Sequence, residues 1–370
     1  MTATKGLEGI VAATTSVSSI VDGVLTYRGY DIDDLAENAT FEEVIYLLWY
    51  GKLPSQAELT GLRTELNASA AVPDPVIDIM RHFPERAHSM SVLRTAVSSL
   101  ALYDPEADDM SKEANLRKAV RLQAQIPTLI AAYARIREGK SPISPKEGAS
   151  IAENFLYMLN GTEPKPVEAK ALDKALVLHA DHELNASTFA GRVTVATLSD
   201  IYSGVTSAIG ALKGPLHGGA NEAVMNMLEE IGSAENIDTY VRSKLDRREK
   251  LMGFGHRVYK SGDPRAKHLQ RMSYELGKLN GNLKWYEMSV KIEGLVTGLK
   301  GLKPNVDFYS ASVYTTLGIP RDLFTPIFAI SRCSGWTAHI LEQYENNRII
   351  RPRAEYVGQS DQKYIPVDFR

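Results

Sequence analysis

Ser144-Pro145-Lys146-Glu147, followed by Ile151, Phe155 and Met158 and closed by Gly161, is the stretch on which the fold class turns. A serine three residues ahead of a glutamate has the spacing of a capping box, and proline suits the first helical position. The apolar residues then recur at helical intervals until a glycine stops them. Thr40-x-x-Glu43 and Ser55-x-x-Glu58 repeat the signal. Further helical patterns run through about 167–180, 187–212, 220–231, 264–279, 285–299, 306–317 and 323–345. Against them stands one β signal: Ser19-Ile20-Val21-Asp22-Gly23-Val24-Leu25-Thr26 puts an Asp-Gly pair between β-branched and apolar residues, which predicts a two-residue hairpin. Strands do not alternate with helices, so a doubly wound α/β fold is excluded. The expected class is all-α with a small N-terminal β-hairpin. Neither a fixed-period repeat nor a low-complexity linker occurs, so any domain boundary falls in a short turn.

A chain of 370 residues is longer than one typical domain, which makes a core divided between two domains the natural expectation. Hydrophobic residues at 44% and charged residues at 24% argue against long disorder or a fibrous repeat. The single cysteine, Cys333, forms no internal disulfide, and Met1-Thr2-Ala3-Thr4-Lys5-Gly6 lacks the pattern of a signal peptide, so a reducing cytoplasm is expected. No stretch reaches the roughly 18 uninterrupted apolar residues of a membrane span. A net charge of −3 gives no overall attraction to nucleic acid, although basic residues cluster at Arg247-Arg248-Glu249-Lys250, Arg257 to Lys260 and Arg348 to Arg353. The first cluster sits among acids and reads as a solvated face. The last suits local anion binding.

Four segments concentrate reactive groups. His179-Ala180-Asp181-His182-Glu183 follows an apolar helix; its histidines are three apart, unlike the four of a zinc-protease helix, so a substrate-binding histidine competes with a polar helix end and with a metal-dependent hydrolase. Lys213-Gly214-Pro215-Leu216-His217-Gly218-Gly219 turns tightly before a helix starting near Ala220. A histidine at that helix N-terminus is held neutral and suited to donating a hydrogen bond to a carbonyl that becomes an enolate; a plain turn is the alternative. In Gly253-Phe254-Gly255-His256-Arg257-Val258-Tyr259, Val258 takes the place of the third dinucleotide glycine, so the glycines read as close backbone approach to a ligand. Asp263-Pro264 reads as an N-cap and first helical residue, placing Arg265 in the first turn, where taken alone it reads as a surface helix residue. Lastly, Asn305-Val306-Asp307 opens one helix, where Asp307 either caps or acts, and Arg332 lies among Phe328, Ile330 and Trp336 in an apolar helix, where it needs a carboxylate partner from protein or ligand. Cys333 reads as a packed core thiol.

The ordered set of Asp181-His182-Glu183, Gly214-Pro215-Leu216-His217-Gly218-Gly219, Gly253-Phe254-Gly255-His256-Arg257-Val258-Tyr259, Asp263-Pro264-Arg265, Asn305-Val306-Asp307, Ser331-Arg332 and Arg351-Pro352-Arg353, with Arg28-Gly29-Tyr30 near the start, resembles the citrate synthase family over nearly the whole chain. The likeness is to the shorter, dimeric branch. It implies a large helical domain, residues 1–219 and 326–370, and a smaller mobile helical domain, residues 220–325, with the site between them. It implies an acyltransferase of the citrate (Si)-synthase type that condenses acetyl-CoA with oxaloacetate, with 2-methylcitrate synthase, acting on propionyl-CoA, as the near alternative. An inactive helical scaffold is disfavoured, because every histidine and aspartate of the pattern is present.

Carried over residue by residue, the resemblance makes Asp307 the base that enolises the acetyl group, His217 the donor to the enolate oxygen, and His256 the group that polarises the ketone and protonates the alkoxide. His182, Arg265, Arg332 and Arg351 hold the oxaloacetate carboxylates, Arg351 arriving from the partner subunit of a homodimer. Coenzyme A is met by the backbone of Leu251, Met252, Gly253, Phe254 and Gly255 and by Lys260. No metal, flavin or nucleotide cofactor is implied, and neither nucleic acid nor a membrane is a partner.

Overall fold

The computed structural model describes residues 5–7, 9–256, 258–259 and 261–370. Three short antiparallel strands open it: β1 (Ser18–Val21), β2 (Val24–Tyr27) and β3 (Tyr30–Asp31). Val21 pairs with Val24 across Asp22 (φ 51°) and Gly23 (φ 82°), so both central residues lie in the left-handed region that a type I′ hairpin turn requires. The same device recurs at Arg28 (φ 51°) and Gly29 (φ 87°), where Tyr27 pairs with Tyr30, and it extends the expected hairpin to a three-stranded sheet.

The other elements are helical: α1 (Ile32–Asn38), α2 (Phe41–Tyr50), α3 (Gln56–Ser69), α4 (Asp74–Arg81), α5 (Ser89–Leu100), α6 (Lys112–Ile136), α7 (Ile151–Asn160), α8 (Pro166–His179), α9 (Ala186–Val195), α10 (Ile201–Leu212), α11 (Ala220–Ile231), α12 (Ile237–Asp246), α13 (Ala266–Leu279), α14 (Lys284–Lys300), α15 (Val306–Thr316) and α16 (Phe324–Glu345). Thr40 with Glu43 and Ser55 with Glu58 form the expected reciprocal capping boxes. The third box lies elsewhere than the sequence suggested. Ser150 and Glu153 cap α7, while Ser144 to Glu147 stay in a loop, because Gly148 takes φ 76° and breaks any helix that would run through it. The pattern over 187–212 is likewise two helices, separated at Leu198 (φ 65°) and restarted by Asp200, whose carboxylate accepts from the Ser203 N–H at 2.9 Å.

From Phe324 to Ile340 every residue of α16 is buried, and α2, α6, α8, α9 and α10 surround it. Helices α11 to α15 pack chiefly on one another and meet the remainder mainly through α8 and α16, with polar contacts from α13 to α1. The sheet locks onto the end of α8: the Tyr27 hydroxyl contacts the carbonyls of Val177 (3.2 Å) and Asp181 (3.1 Å), and the Ser18 hydroxyl donates to Asp181 Oδ2 at 2.5 Å. The β element thus fixes the turn that carries His182. Cys333 is a buried thiol in α16, as expected for a core residue.

Candidate active site

The reactive segments of the sequence meet where α8 and α16 face α13, α15 and the loop before α13. Burial is expensive for charge unless it is compensated, and the compensations define the site. Arg332, 1% exposed, donates from Nε to the His179 carbonyl at 2.8 Å, and its guanidinium lies over Phe328 at 4.7 Å. Among the described residues no carboxylate forms an ion pair with it. Burial lowers its pKa to about 10. Arg265, 2% exposed, is gripped by Asp263 through Nε (2.9 Å) and Nη2 (2.8 Å). Burial works against both charges, yet the pairing holds Asp263 below the usual carboxylate range and Arg265 above its own.

Asp263 does not cap a helix starting at Pro264. It accepts from the Arg265 backbone N–H at 3.1 Å, so α13 begins at Ala266, and its other oxygen accepts from the Val306 N–H at 3.0 Å. One carboxylate therefore joins the first turns of α13 and α15. Asn305 caps α15 by accepting from the Asp307 N–H at 3.1 Å, which releases the Asp307 side chain from that duty. The Asp307 Oδ1 is buried without a hydrogen-bond partner, and burial pushes its pKa up to about 7; the Asp263 charge adds to the rise, while Arg265 and Arg332 oppose it.

The histidines are set by tautomer. Trp336 Nε1 donates to the Ser187 hydroxyl oxygen at 3.0 Å, that oxygen lies 2.8 Å from His217 Nε2, and the Ser187 backbone N–H donates to the same nitrogen at 3.3 Å. A nitrogen that accepts holds no hydrogen in a neutral ring, so Nδ1 is the donor. Burial, with Arg332, lowers the His217 pKa to about 4 and keeps it neutral. His256 Nδ1 accepts from the N–H groups of Val258 (3.0 Å) and Tyr259 (3.2 Å), which leaves its hydrogen on Nε2. His182 Nε2 lies 3.0 Å from the Tyr259 hydroxyl, and its ring centroid is 5.2 Å from that of His256. Burial first, then Arg265, Arg332 and His256, holds its pKa well below the usual value.

Sequence reasoning missed Ser187, Trp336 and Tyr259. Tyr259 follows His256 in the Gly253 to Tyr259 motif, but nothing local marks Ser187 as the partner of His217 or Trp336 as the partner of Ser187. His179 serves through its carbonyl; its ring is fully buried, with Nδ1 at 2.7 Å from the Ala175 carbonyl, and burial lowers its pKa to about 3. Among the described residues no group of three or more His, Cys, Asp or Glu is arranged to hold a metal.

The glycine loop has less free backbone than expected. Gly255 N–H donates to the Lys303 carbonyl (2.9 Å), Asn305 N–H donates to the Gly253 carbonyl (2.9 Å), and Asn305 Nδ2 donates to the Gly255 carbonyl (2.9 Å). These groups tie the loop to the start of α15. Gly253 has φ 80°, and a Cβ there would lie 2.7 Å from Phe308 Cδ2 and 2.8 Å from Val224 Cγ2. Gly253→Ala is expected to lower Tm by several degrees and to reduce activity by displacing Asp307; thermal denaturation and turnover measured together check it, and an unchanged pair would refute the tight approach. Lys260 lies outside the described residues. Arg351 is exposed in the segment after α16 and, among the described residues, makes no hydrogen bond or ion pair.

Known proteins resemble this chain along nearly its whole length. The family described as citrate synthase, C-terminal domain, matches residues 6–353. Citrate synthase 2 of Bacillus subtilis is 65% identical over 371 residues, covering 100% of each chain. A 2-methylcitrate synthase of Mycobacterium tuberculosis is 44% identical over 367 residues, covering 99% of this chain and 93% of that one. The solved ternary complex of carboxymethyl coenzyme A and oxaloacetate with the citrate synthase of Thermoplasma acidophilum superposes with a TM-score of 0.92 at 36% identity, covering 98% of each chain. The chain belongs to the citrate synthase family.

Proposed function

We propose that this site condenses acetyl-CoA with oxaloacetate and hydrolyses the citryl thioester to citrate and coenzyme A. The observation that carries the reading is Asp307: a carboxyl with one oxygen buried and without a hydrogen-bond partner, whose pKa is pushed up to about 7 beside two buried arginines. A base must take a weakly acidic proton from the thioester methyl while the developing enolate oxygen is stabilised. Asp307 takes that proton, and His217 donates from Nδ1 to the thioester oxygen. The enolate carbon then attacks the oxaloacetate ketone, whose oxygen is polarised by His256 Nε2 and receives its proton. Water finally cleaves the thioester, releasing coenzyme A.

Guanidinium groups bind carboxylates bidentately, and Arg332, Arg265 and His182 hold the two carboxylates of oxaloacetate. Arg351 completes the set from the partner subunit of a homodimer; its exposure after α16 and the lack of a partner among the described residues support that assignment. Residues 220–325 form the smaller domain whose closure excludes water, and the backbone of residues 251–255, with Lys260, meets coenzyme A. Hydrogen bonds stabilise the enolate and thioester hydrolysis supplies the driving force, so the chemistry calls for no metal, flavin or nucleotide. No helix among the described residues is long and apolar enough to cross a membrane, and the buried Cys333 suits a reducing cytoplasm.

The test mixes the protein with oxaloacetate and either acetyl-CoA or propionyl-CoA, follows thiol release and identifies the product by mass. Acetyl-CoA is expected to be preferred, with citrate formed. One methyl group in an apolar pocket is worth about 1 to 3 kcal/mol, so partial turnover of propionyl-CoA is expected too. A preference for propionyl-CoA would make the enzyme a 2-methylcitrate synthase with the same groups in the same roles, whereas no thiol with either would overturn the reading.

A further inference from the structure

One turn beyond Arg265, α13 carries a histidine that the mechanism does not use. His268 is 6% exposed, with Nε2 at 2.6 Å from Asp33 Oδ1 and Nδ1 at 3.2 Å from Glu37 Oε1, both carboxylates standing on α1. Its neighbours reinforce the contact. Lys267 Nζ is 2.5 Å from Asp33 Oδ2, Arg271 Nη1 is 3.3 Å from Glu37 Oε1, and Lys174 Nζ, on α8, is 3.3 Å from Glu37 Oε2. Two acids of α1 thus bind three bases of α13 and one of α8. Side-chain packing alone does not seal the junction, because a cavity of about 390 Å³ opens beside it, lined by Glu37, Lys174, His268, Arg271 and Glu275 among others.

Both helices lead directly to the site. At about 1.5 Å per residue, His268 stands roughly 4.5 Å along α13 from Arg265, and Lys174 roughly 7.5 Å along α8 from His179. A shift of α13 against α1 and α8 therefore moves the Arg265 guanidinium relative to His182. We propose that His268 is a positioning residue: with Asp33 and Glu37 it latches α13 to α1 and α8, and so sets the affinity for oxaloacetate without touching it. The proposal rests on the reading of Arg265 as an oxaloacetate ligand and of residues 220–325 as the closing domain.

The test is steady-state kinetics of His268→Leu and Arg271→Gln, with Asp33→Asn alone and combined with His268→Leu. Leucine keeps the site filled, and Asp33 and Glu37 retain Lys267, Lys174 and Arg271 as partners. His268→Leu is expected to raise the KM for oxaloacetate about five- to tenfold with kcat within about twofold, and Asp33→Asn to add little in that background. A KM that stays at the wild-type value, a loss confined to kcat, or fully independent effects of the two substitutions would overturn the latch. Should His268→Leu not fold, Arg271→Gln at the exposed rim decides: a two- to threefold rise in KM supports the latch, and none refutes it. Failure of the functional reading is separate, because it would show as no thiol release by the wild-type protein.

Discussion

Replacing Asp307 by alanine is expected to cut turnover by roughly 10² to 10⁴, the usual worth of a positioned general base, while the protein remains folded. The fold has little to lose, because Asn305 already caps α15 and the Asp307 Oδ1 has no partner to leave behind. The pH dependence has a definite sign. Burial raises the pKa from 3.8 to about 7, and the ionised form is the base, so kcat/KM of the wild-type enzyme should fall about tenfold per unit as pH drops below about 7. Stability runs the other way. A carboxyl with a raised folded-state pKa favours the protonated fold, so its ionisation imposes a penalty that builds as pH rises from about 4 to about 7 and stays constant above. Asp307→Ala should therefore melt no lower than wild type at pH 8, and any gain should vanish by pH 4. Wild-type turnover in the variant would remove Asp307 from the mechanism; a large loss of Tm would make it a structural residue.

What was legible in the sequence follows from which signals are local. The Asp22-Gly23 turn and two capping boxes are written within four residues, and they stand where they were read. Ser144 to Glu147 carries the same spacing as Ser150 to Glu153, and only the left-handed Gly148 between them, whose conformation no spacing reveals, decides in favour of the second. The longest helix, α6, lies outside the spans read as helical because it is buried nearly all round from Lys118 to Ala134 and contains Pro127, so no single apolar stripe marks it. At the site, the motifs named side chains that the fold packs close together but said nothing of their protonation. His217 donates from Nδ1 only because Ser187, 30 residues earlier, occupies its other nitrogen, and Ser187 is in turn held by Trp336, 149 residues beyond it. Asp263 read in the sequence as the N-cap of a helix at Pro264, which it is not. Its grip on Arg265 and its bond to the Val306 N–H emerge only when α13 and α15 pack together.

Arg332 yields the second large effect, and function and stability should again part. An arginine buried among Phe328, Ile330 and Trp336 with no carboxylate of its own awaits one from a ligand. Removing one partner of a buried charge pair costs about 2 to 5 kcal/mol, so Arg332→Leu should raise the oxaloacetate KM by a factor of about 30 or more. In the substrate-free protein the same charge is a liability: burial lowers its pKa to about 10, so the charged side chain opposes folding at every pH below that value. Leucine removes that opposition at the loss of one hydrogen bond to the His179 carbonyl, worth about 1 kcal/mol, and buried charges exchanged for apolar side chains often leave stability level or higher. The variant should then melt at or slightly above the wild-type Tm without substrate, and added oxaloacetate, which stabilises whatever it binds, should raise Tm less than it does in the wild type. An unchanged oxaloacetate dependence in both assays would return Arg332 to a structural role.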